Sequence, residues 1–430
     1  ISNDANKLDL LKPTPSEQAW NHTGQITWVV LASGANTWDR YADQANVYHA
    51  YQMIHAHGIP DENIIVFHYD DLADNPSNPY PGTVINLPGG PDVYKGVPKT
   101  YTKTDVTPEN FLAALRGDEK LEKSGKKVVK SGPNDRIFVF LNGAHSGEQT
   151  VMFPNGVLHA QDLNNVLIDM HKQNRFKGMT FYLDSSYSGS MFDKLLPNNS
   201  NIYAVTTSRP DQLTYLCYND SKWGTYLATE FANAWLNDSD HSDLSKELLS
   251  EQFEFIHKYQ VYEVAMQYGD LSIVNETVGT YMGNKKVPSQ TSIQTACKSV
   301  PVPEAPVYRL QRLITSTNNI ELKQKYVTEL EGLLSRRKLM DKQIEEYVNE
   351  LPAIDANITL NGKLELNNRD CYKQLVNTFY HKCYNLSKNT YGIQKLQTFV
   401  NICEQMRDSS DADIAVNRLI QYCDRNVYYN

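Results

Sequence analysis

Residues 179–191 read "MTFYLDSSYSGSM". Met179 to Leu183 are apolar or aromatic enough for a buried strand, and the chain then breaks into small hydroxyl residues and a glycine. In α/β enzymes a reactive side chain is presented in this way, on a tight turn at the carboxyl end of a strand. Both candidate tip positions, Ser185 and Ser186, are serine. The stretch alone leaves three readings open: a serine enzyme, a disabled cysteine enzyme, or an ordinary strand-to-helix loop.

Outward from this stretch, residues 26 to 240 alternate strand-like and helix-like segments. "ITWVVLA" (26–32), "NIIVFHY" (63–69), "RIFVFLN" (136–142), "MTFYL" (179–183) and "NIYAVTT" (201–207) are strands. "QANVYHAYQMIHAHG" (44–58) carries Val47, Tyr51 and Ile54 at helical spacing and stops at Gly58. "TPENFLAALRG" (107–117) opens with a threonine cap and a first-turn proline. "AQDLNNVLIDMHKQ" (160–173) is helical, and the Pro-, Gly-, Asn- and Asp-rich stretch 70–106 is a long irregular loop. Such alternation implies a mostly parallel sheet with helices on both faces. Its chemistry collects at the carboxyl ends of the strands, which here are 33–43, 142–148 and 184–190.

After about residue 285 the character changes. "KKVPSQTSIQTACKSVPVPEAPVY" has no period and reads as a linker. The rest is helical by pattern, and "KQKYVTELEGLLSRRKLMDKQIEEYV" mixes Glu with Lys and Arg at spacings that suit a solvated face. The expected division is a tail (1–22), an α/β domain (23–284), a linker (285–322) and a helical domain (323–430).

The 430 residues are 40% apolar and carry net charge −9, which argues against a nucleic-acid partner, whose phosphates demand a basic face. No run approaches a membrane span. The chain begins without methionine, consistent with a removed leader. Four of the six cysteines, Cys371, Cys383, Cys403 and Cys423, fall in the last sixty residues, and two disulfides there are the leading reading. Cys217 and Cys297 stand apart, with a buried free thiol expected at Cys217. Asn-x-Ser/Thr sequons start at Asn21, Asn198, Asn219, Asn237, Asn275, Asn357 and Asn385. Together with clustered cysteines they favour the secretory pathway. No cluster has metal-ligand spacing, and no cofactor is indicated. The triplet Arg116–Gly117–Asp118 invites an integrin-binding reading, against which stands a turn built on Gly117.

Three stretches carry a resemblance. "QANVYHAYQMIHAHGIPDENIIVFHYDDLA", "PGTVINLPGGPDVYKGVPKTYTKTDVTPENFLAALRGD" and "FYLDSSYSGSM" resemble the legumain family of cysteine peptidases, the asparaginyl endopeptidases. The resemblance extends over nearly the whole chain. It implies a caspase-like α/β core of about six strands and a C-terminal, death-domain-like helical prodomain that covers the active site. It further implies disulfides Cys371–Cys403 and Cys383–Cys423, activation cleavage at Asn318, and a secreted or endolysosomal setting.

The same resemblance exposes departures. The family reads Glu-Ala-Cys-Glu-Ser-Gly-Ser where this chain reads "DSSYSGS", so the nucleophile position is Ser186. A thiol near pKa 8.5 is partly ionised at neutral pH; a serine hydroxyl needs a well-placed base. The family's Thr-Asp-His-Gly becomes "LNGAHSGE", and its histidine falls on Ala144 counted from one side and His145 from the other. The asparagine that orients that histidine falls at Arg40, a cation that disfavours imidazolium. The Arg-His pair that reads the substrate amide becomes Ala42 and Asp43, and an acid becomes Thr229. Thr214 belongs to the same pocket, and Asp184 alone keeps a family-like carboxylate. A pocket built to pair an amide discriminates poorly once its polar partners are gone. The expectation is a peptidase scaffold without peptidase chemistry. Its job would be binding, as a decoy or regulator toward peptidases, cystatin-like inhibitors or receptors, with its own prodomain over the altered site. The alternative is an asparaginyl endopeptidase zymogen or ligase with weak activity through Ser186 and His145.

Overall fold

The computed structural model describes residues 25–143, 145–288, 297–406 and 408–427. Asn21 and Ala144 therefore lie outside the described residues, as do the 1–22 tail and part of the 285–322 stretch.

Six strands form one sheet: β1 Thr27–Ser33, β2 Ile64–Phe67, β3 Arg136–Asn142, β6 Gly178–Asp184, β7 Ile202–Thr206 and β10 Met266–Gly269. Their order is β10-β7-β6-β3-β1-β2, parallel except for β10 at the edge. Alternate residues point to opposite faces, and both faces are buried. Leu31, Phe140, Tyr182 and Val205 pack with the helices Tyr41–Ala56 and Glu230–His241. Val30, Val139, Phe181 and Ala204 pack with Pro108–Leu115 and Ala160–Lys172. Double burial is why these strands are continuously apolar in sequence. The Pro108 helix starts as read: Thr107 accepts from the Asn110 N–H at 3.1 Å.

Two hairpins had no clear signal in the sequence: β4 Thr150–Phe153 with β5 Gly156–His159, and β8 Tyr215–Asp220 with β9 Thr225–Thr229. Both pair strands too short for their alternation to stand out. The stretch read as linker is also more ordered than expected. It contributes strand β11 Ser299–Pro301, antiparallel to β8, and a helix at Ala305–Ser316. That pairing sets Ser299 opposite Cys217 and corrects the expected free thiol, because Cys217 is disulfide-bonded to Cys297.

The remainder is helical, and the helix Ile320–Asn349 buries only its last turns, among them Met340, Ile344 and Tyr347. Those residues share a core with the helices Arg369–Thr378, Leu396–Gln405 and Ser409–Asn426, and with Met152 and Val157 of the β4–β5 hairpin. Disulfides Cys371–Cys403 and Cys383–Cys423 cross-link these helices. Among the described residues no helix is long and apolar enough to cross a membrane.

Candidate active site

The sheet register assembles the site. Ser33 pairs with Asn142 and Asn142 with Asp184, so three strand ends and their loops emerge side by side. Beyond Asp184 the chain turns through Ser185–Ser188, with Tyr187 at φ 57° carrying the left-handed strain. Gly189 is required two residues later, since a Cβ there would lie 2.6 Å from Tyr268 Oη and 2.7 Å from the Pro210 nitrogen. The backbone N–H of Thr214 donates to Ser186 Oγ at 2.9 Å.

His145 lines the same small cleft as Ser186, buried to 6% exposure. Among the described residues neither of its ring nitrogens has a hydrogen-bond partner. Burial first, and the Arg40 charge second, push its pKa well below the ordinary imidazole value. Arg40 is itself buried, and burial lowers its pKa against the opposing pull of Asp39 and Asp43. A base here would have to form imidazolium beside a guanidinium in a dry site. The cleft holds about 10 Å³ of free volume, room for one water at most.

The pocket positions are equally altered. Ala42 packs in an apolar cluster with Leu216, Tyr226, Val302 and Ala305. Val302, from the segment read as linker, donates its N–H to the Thr214 carbonyl at 3.0 Å, and Val302 and Pro303 line the cleft. Asp43 Oδ1 accepts from Asn142 Nδ2 at 3.4 Å. Thr229 donates to Asp184 Oδ2 at 2.5 Å and accepts from Asn46 Nδ2 at 2.8 Å, while capping the Glu230–His241 helix through the Ala232 N–H at 3.3 Å. Burial raises the Asp184 carboxyl to about 7 despite the Thr229 bond. Glu263, which accepts from Thr207 Oγ1 at 2.9 Å and the Tyr215 N–H at 3.0 Å, is likewise pushed well up, by burial and then by Glu230 and Asp184.

Helices roof the site. Thr390, Ile393 and Gln394 close over His145 and Ser186. Tyr372 Oη donates to the Glu148 carbonyl at 2.6 Å, Arg369 Nε to Gln149 Oε1 at 3.0 Å, and Tyr380 Oη to the Phe153 carbonyl at 3.0 Å.

Arg40, Ala42, Asp43, His145, Asp184, Ser186, Thr214 and Thr229 thus form one neighbourhood. Asn46, Asn142, Glu263 and the Val302–Pro303 segment were not singled out from sequence. Asn142 had a usable signal, being the polar end of an apolar strand; Glu263 had none. Elsewhere, Arg116 and Asp118 pair with each other at 3.2 Å, Gly117 sits at φ 71°, and Asp118 caps the following helix by accepting from Leu121 N at 2.9 Å. Asn318 is exposed between two helices. Among the sequons, Asn198, Asn275 and Asn357 are exposed and Asn219 and Asn385 half-buried. Asn237 is buried within a helix at 7% exposure.

A mostly parallel sheet whose carboxyl-end loops hold the site, under a helical cover from the same chain, defines the class: an α/β fold with an appended helical domain over its strand ends. Comparison with known proteins makes this specific. The peptidase C13 family model matches residues 27–284 and the legumain prodomain model residues 328–420. Rat legumain is 40% identical over 88% of this chain and 88% of its own length, and human legumain 38% over 88% and 89%. The vacuolar-processing enzyme delta-isozyme of Arabidopsis thaliana is 32% identical over 97% and 95%. A caspase-1 crystal structure from Spodoptera frugiperda aligns with TM-score 0.35 and 8% identity over 62% of this chain and 92% of its own, too slight a likeness to bear on the fold. The chain belongs to the peptidase C13, or legumain, family.

Proposed function

We propose that this chain is a catalytically inert member of its family that acts by binding protein partners: peptidases, their inhibitors or receptors. The observation that carries this is His145, buried beside Arg40 with no partner among the described residues at either ring nitrogen, while the Ser186 oxygen already accepts a backbone N–H. A serine nucleophile needs a base engaged with its hydroxyl and a third group orienting that base; here the orienting position holds a cation. The apolar packing around Ala42 supports loss of amide recognition as well. In this reading 23–284 is the retained scaffold, 285–322 the connecting segment and 323–430 the cover. Three disulfides and exposed sequons favour a secreted or endolysosomal setting.

The test is hydrolysis of an Ala-Ala-Asn fluorogenic peptide at acidic pH, by the intact chain and by chain cut near Asn318 with an added protease. Expected is no turnover above blank in either form, and none gained by Ser186→Cys alone. Turnover that Ser186→Ala abolishes overturns the proposal.

One observation favours a second reading, a weakly active zymogen or ligase: Ser186 and His145 share one cleft beneath the helical cover, with Asn318 exposed. Self-cleavage after Asn318 on acidification would select it.

A further inference from the structure

Adjoining the Ser186 cleft, and sharing His145 and Thr390 with it, lies a groove of about 340 Å³. Its walls come from the core at Asp39, Arg40 and His145, from the two helices spanning 305–349, and from the 384–391 loop. Five cationic side chains line it against two acids, in a chain whose net charge is −9. Two of the five are neutralised. Arg309 bonds Asp39 and Glu329 at 3.1 Å each, and Arg337 bonds Glu304 at 3.2 Å. Among the described residues Arg336 and Lys388 form no ion pair, and Arg40 feels Asp39 and Asp43 without a direct ion pair to either. Arg40 is more than nine-tenths buried, and its Nε has no hydrogen-bond partner among the described residues. His145 adds one donor and one acceptor nitrogen, both without a partner among the described residues. The remaining wall mixes the polar side chains Gln343, Asn389 and Asn426 with an apolar and aromatic strip of Leu333, Met340 and Tyr391, the Arg337 guanidinium stacked 4.9 Å from the Tyr391 ring centroid.

Buried donors without acceptors are costly, and a native structure normally satisfies them. A groove of this volume with an apolar wall and convergent charges has the make-up of a small-molecule site. We propose that it binds a small organic anion, a carboxylate or phosphate ester on a short aromatic or aliphatic body. The anionic head lies among Arg40, Arg336 and Lys388, and the body against Tyr391 and Met340. Because core and helical cover both contribute walls, a bound anion favours the covered arrangement by mass action. The proposal stands whether or not Ser186 is inert.

The test uses the full chain and phenyl phosphate as probe, with benzyl alcohol as its uncharged counterpart and inorganic phosphate as its bodiless one. Calorimetric titration is expected to show one saturable site per chain, with both controls at least tenfold weaker. Arg336 and Lys388 are exposed, so the Arg336→Ala/Lys388→Ala double variant leaves the unliganded melt unchanged. It is expected to weaken phenyl phosphate at least tenfold, with Arg336→Lys/Lys388→Arg restoring most of the affinity. No saturable binding, equal binding of either control, or affinity untouched by the double variant would each overturn it.

Discussion

Between Val29 and Leu183 the middles of β1, β3 and β6 put only apolar and aromatic side chains, apart from Thr180, onto two covered faces. One or two residues further on, the same strands end at Ser33, Asn142 and Asp184, among polar groups just as dry. In the middles burial is the source of stability; at the ends it is a cost offset by hydrogen bonds. The strand bodies can change only by keeping volume, which ties them to the family pattern. The ends are held by a chain of side-chain bonds, Asp43–Asn142–Asn46–Thr229–Asp184, that can be rewired while the fold persists.

The largest effect tests the middles. Trp235 is fully buried with its ring 5.0 Å from Phe140, 5.5 Å from Tyr182 and 5.9 Å from Phe138. Trp235→Ala is expected to cost ~3–5 kcal/mol in urea unfolding. A loss no larger than that of a site substitution would erase the contrast between bodies and ends.

The second effect is a pH dependence to which the ends contribute. Asp184 has a folded pKa of about 7, above its unfolded value, so the native state binds more protons in the interval between. Its contribution is complete below the ordinary carboxylate range and is lost as pH rises through about 7, at roughly 1.4 kcal/mol per unit of separation. Glu263, raised in the same direction, adds to the slope. The melting temperature of the parent relative to Asp184→Asn is expected to fall from about pH 4 to pH 8. An unchanged slope in the variant would locate the titration elsewhere.

The strand bodies were legible because double burial writes itself as unbroken apolar runs, and the helical end because its charges recur at helical spacing. The short hairpins β4–β5 and β8–β9 were not, since four to six residues carry too little alternation. The site was legible in composition and not in contact. Ser186, Arg40 and Ala42 could be placed against a family pattern, but the bond from the Thr214 N–H and the Val302 side chain against Ala42 depend on residues far apart in the chain. The Cys217–Cys297 bond was missed for the same reason, since it follows from a strand pairing that an aperiodic segment does not announce.

A smaller effect separates the site's structural part from any chemical one. Ser186→Ala removes the acceptor of the Thr214 N–H and leaves that donor buried. The expected cost is ~1–3 kcal/mol of stability, read by urea unfolding, with no change in peptide hydrolysis. A variant as stable as the parent would mean the bond holds nothing in place.

The smallest expected effect concerns the segment that fills the cleft. Thr317 to Asn319 connect two helices at the surface, joined by the exposed bonds from Asn319 N–H to Thr317 Oγ1 at 3.2 Å and from Leu322 N–H to the Asn319 cap at 3.0 Å. A cut after Asn318 removes no packed group, so stability should change by less than about 0.5 kcal/mol. A second cut between Lys285 and Lys286, both exposed, would free the intervening piece in an ordinary chain. Here the Cys217–Cys297 bond keeps that piece on β8, with Val302 still packed against Ala42. Non-reducing electrophoresis after both cuts should show the piece retained, and reductant should release it. Release without reductant would mean the disulfide does not form in the protein, and the cleft could then be emptied by proteolysis alone.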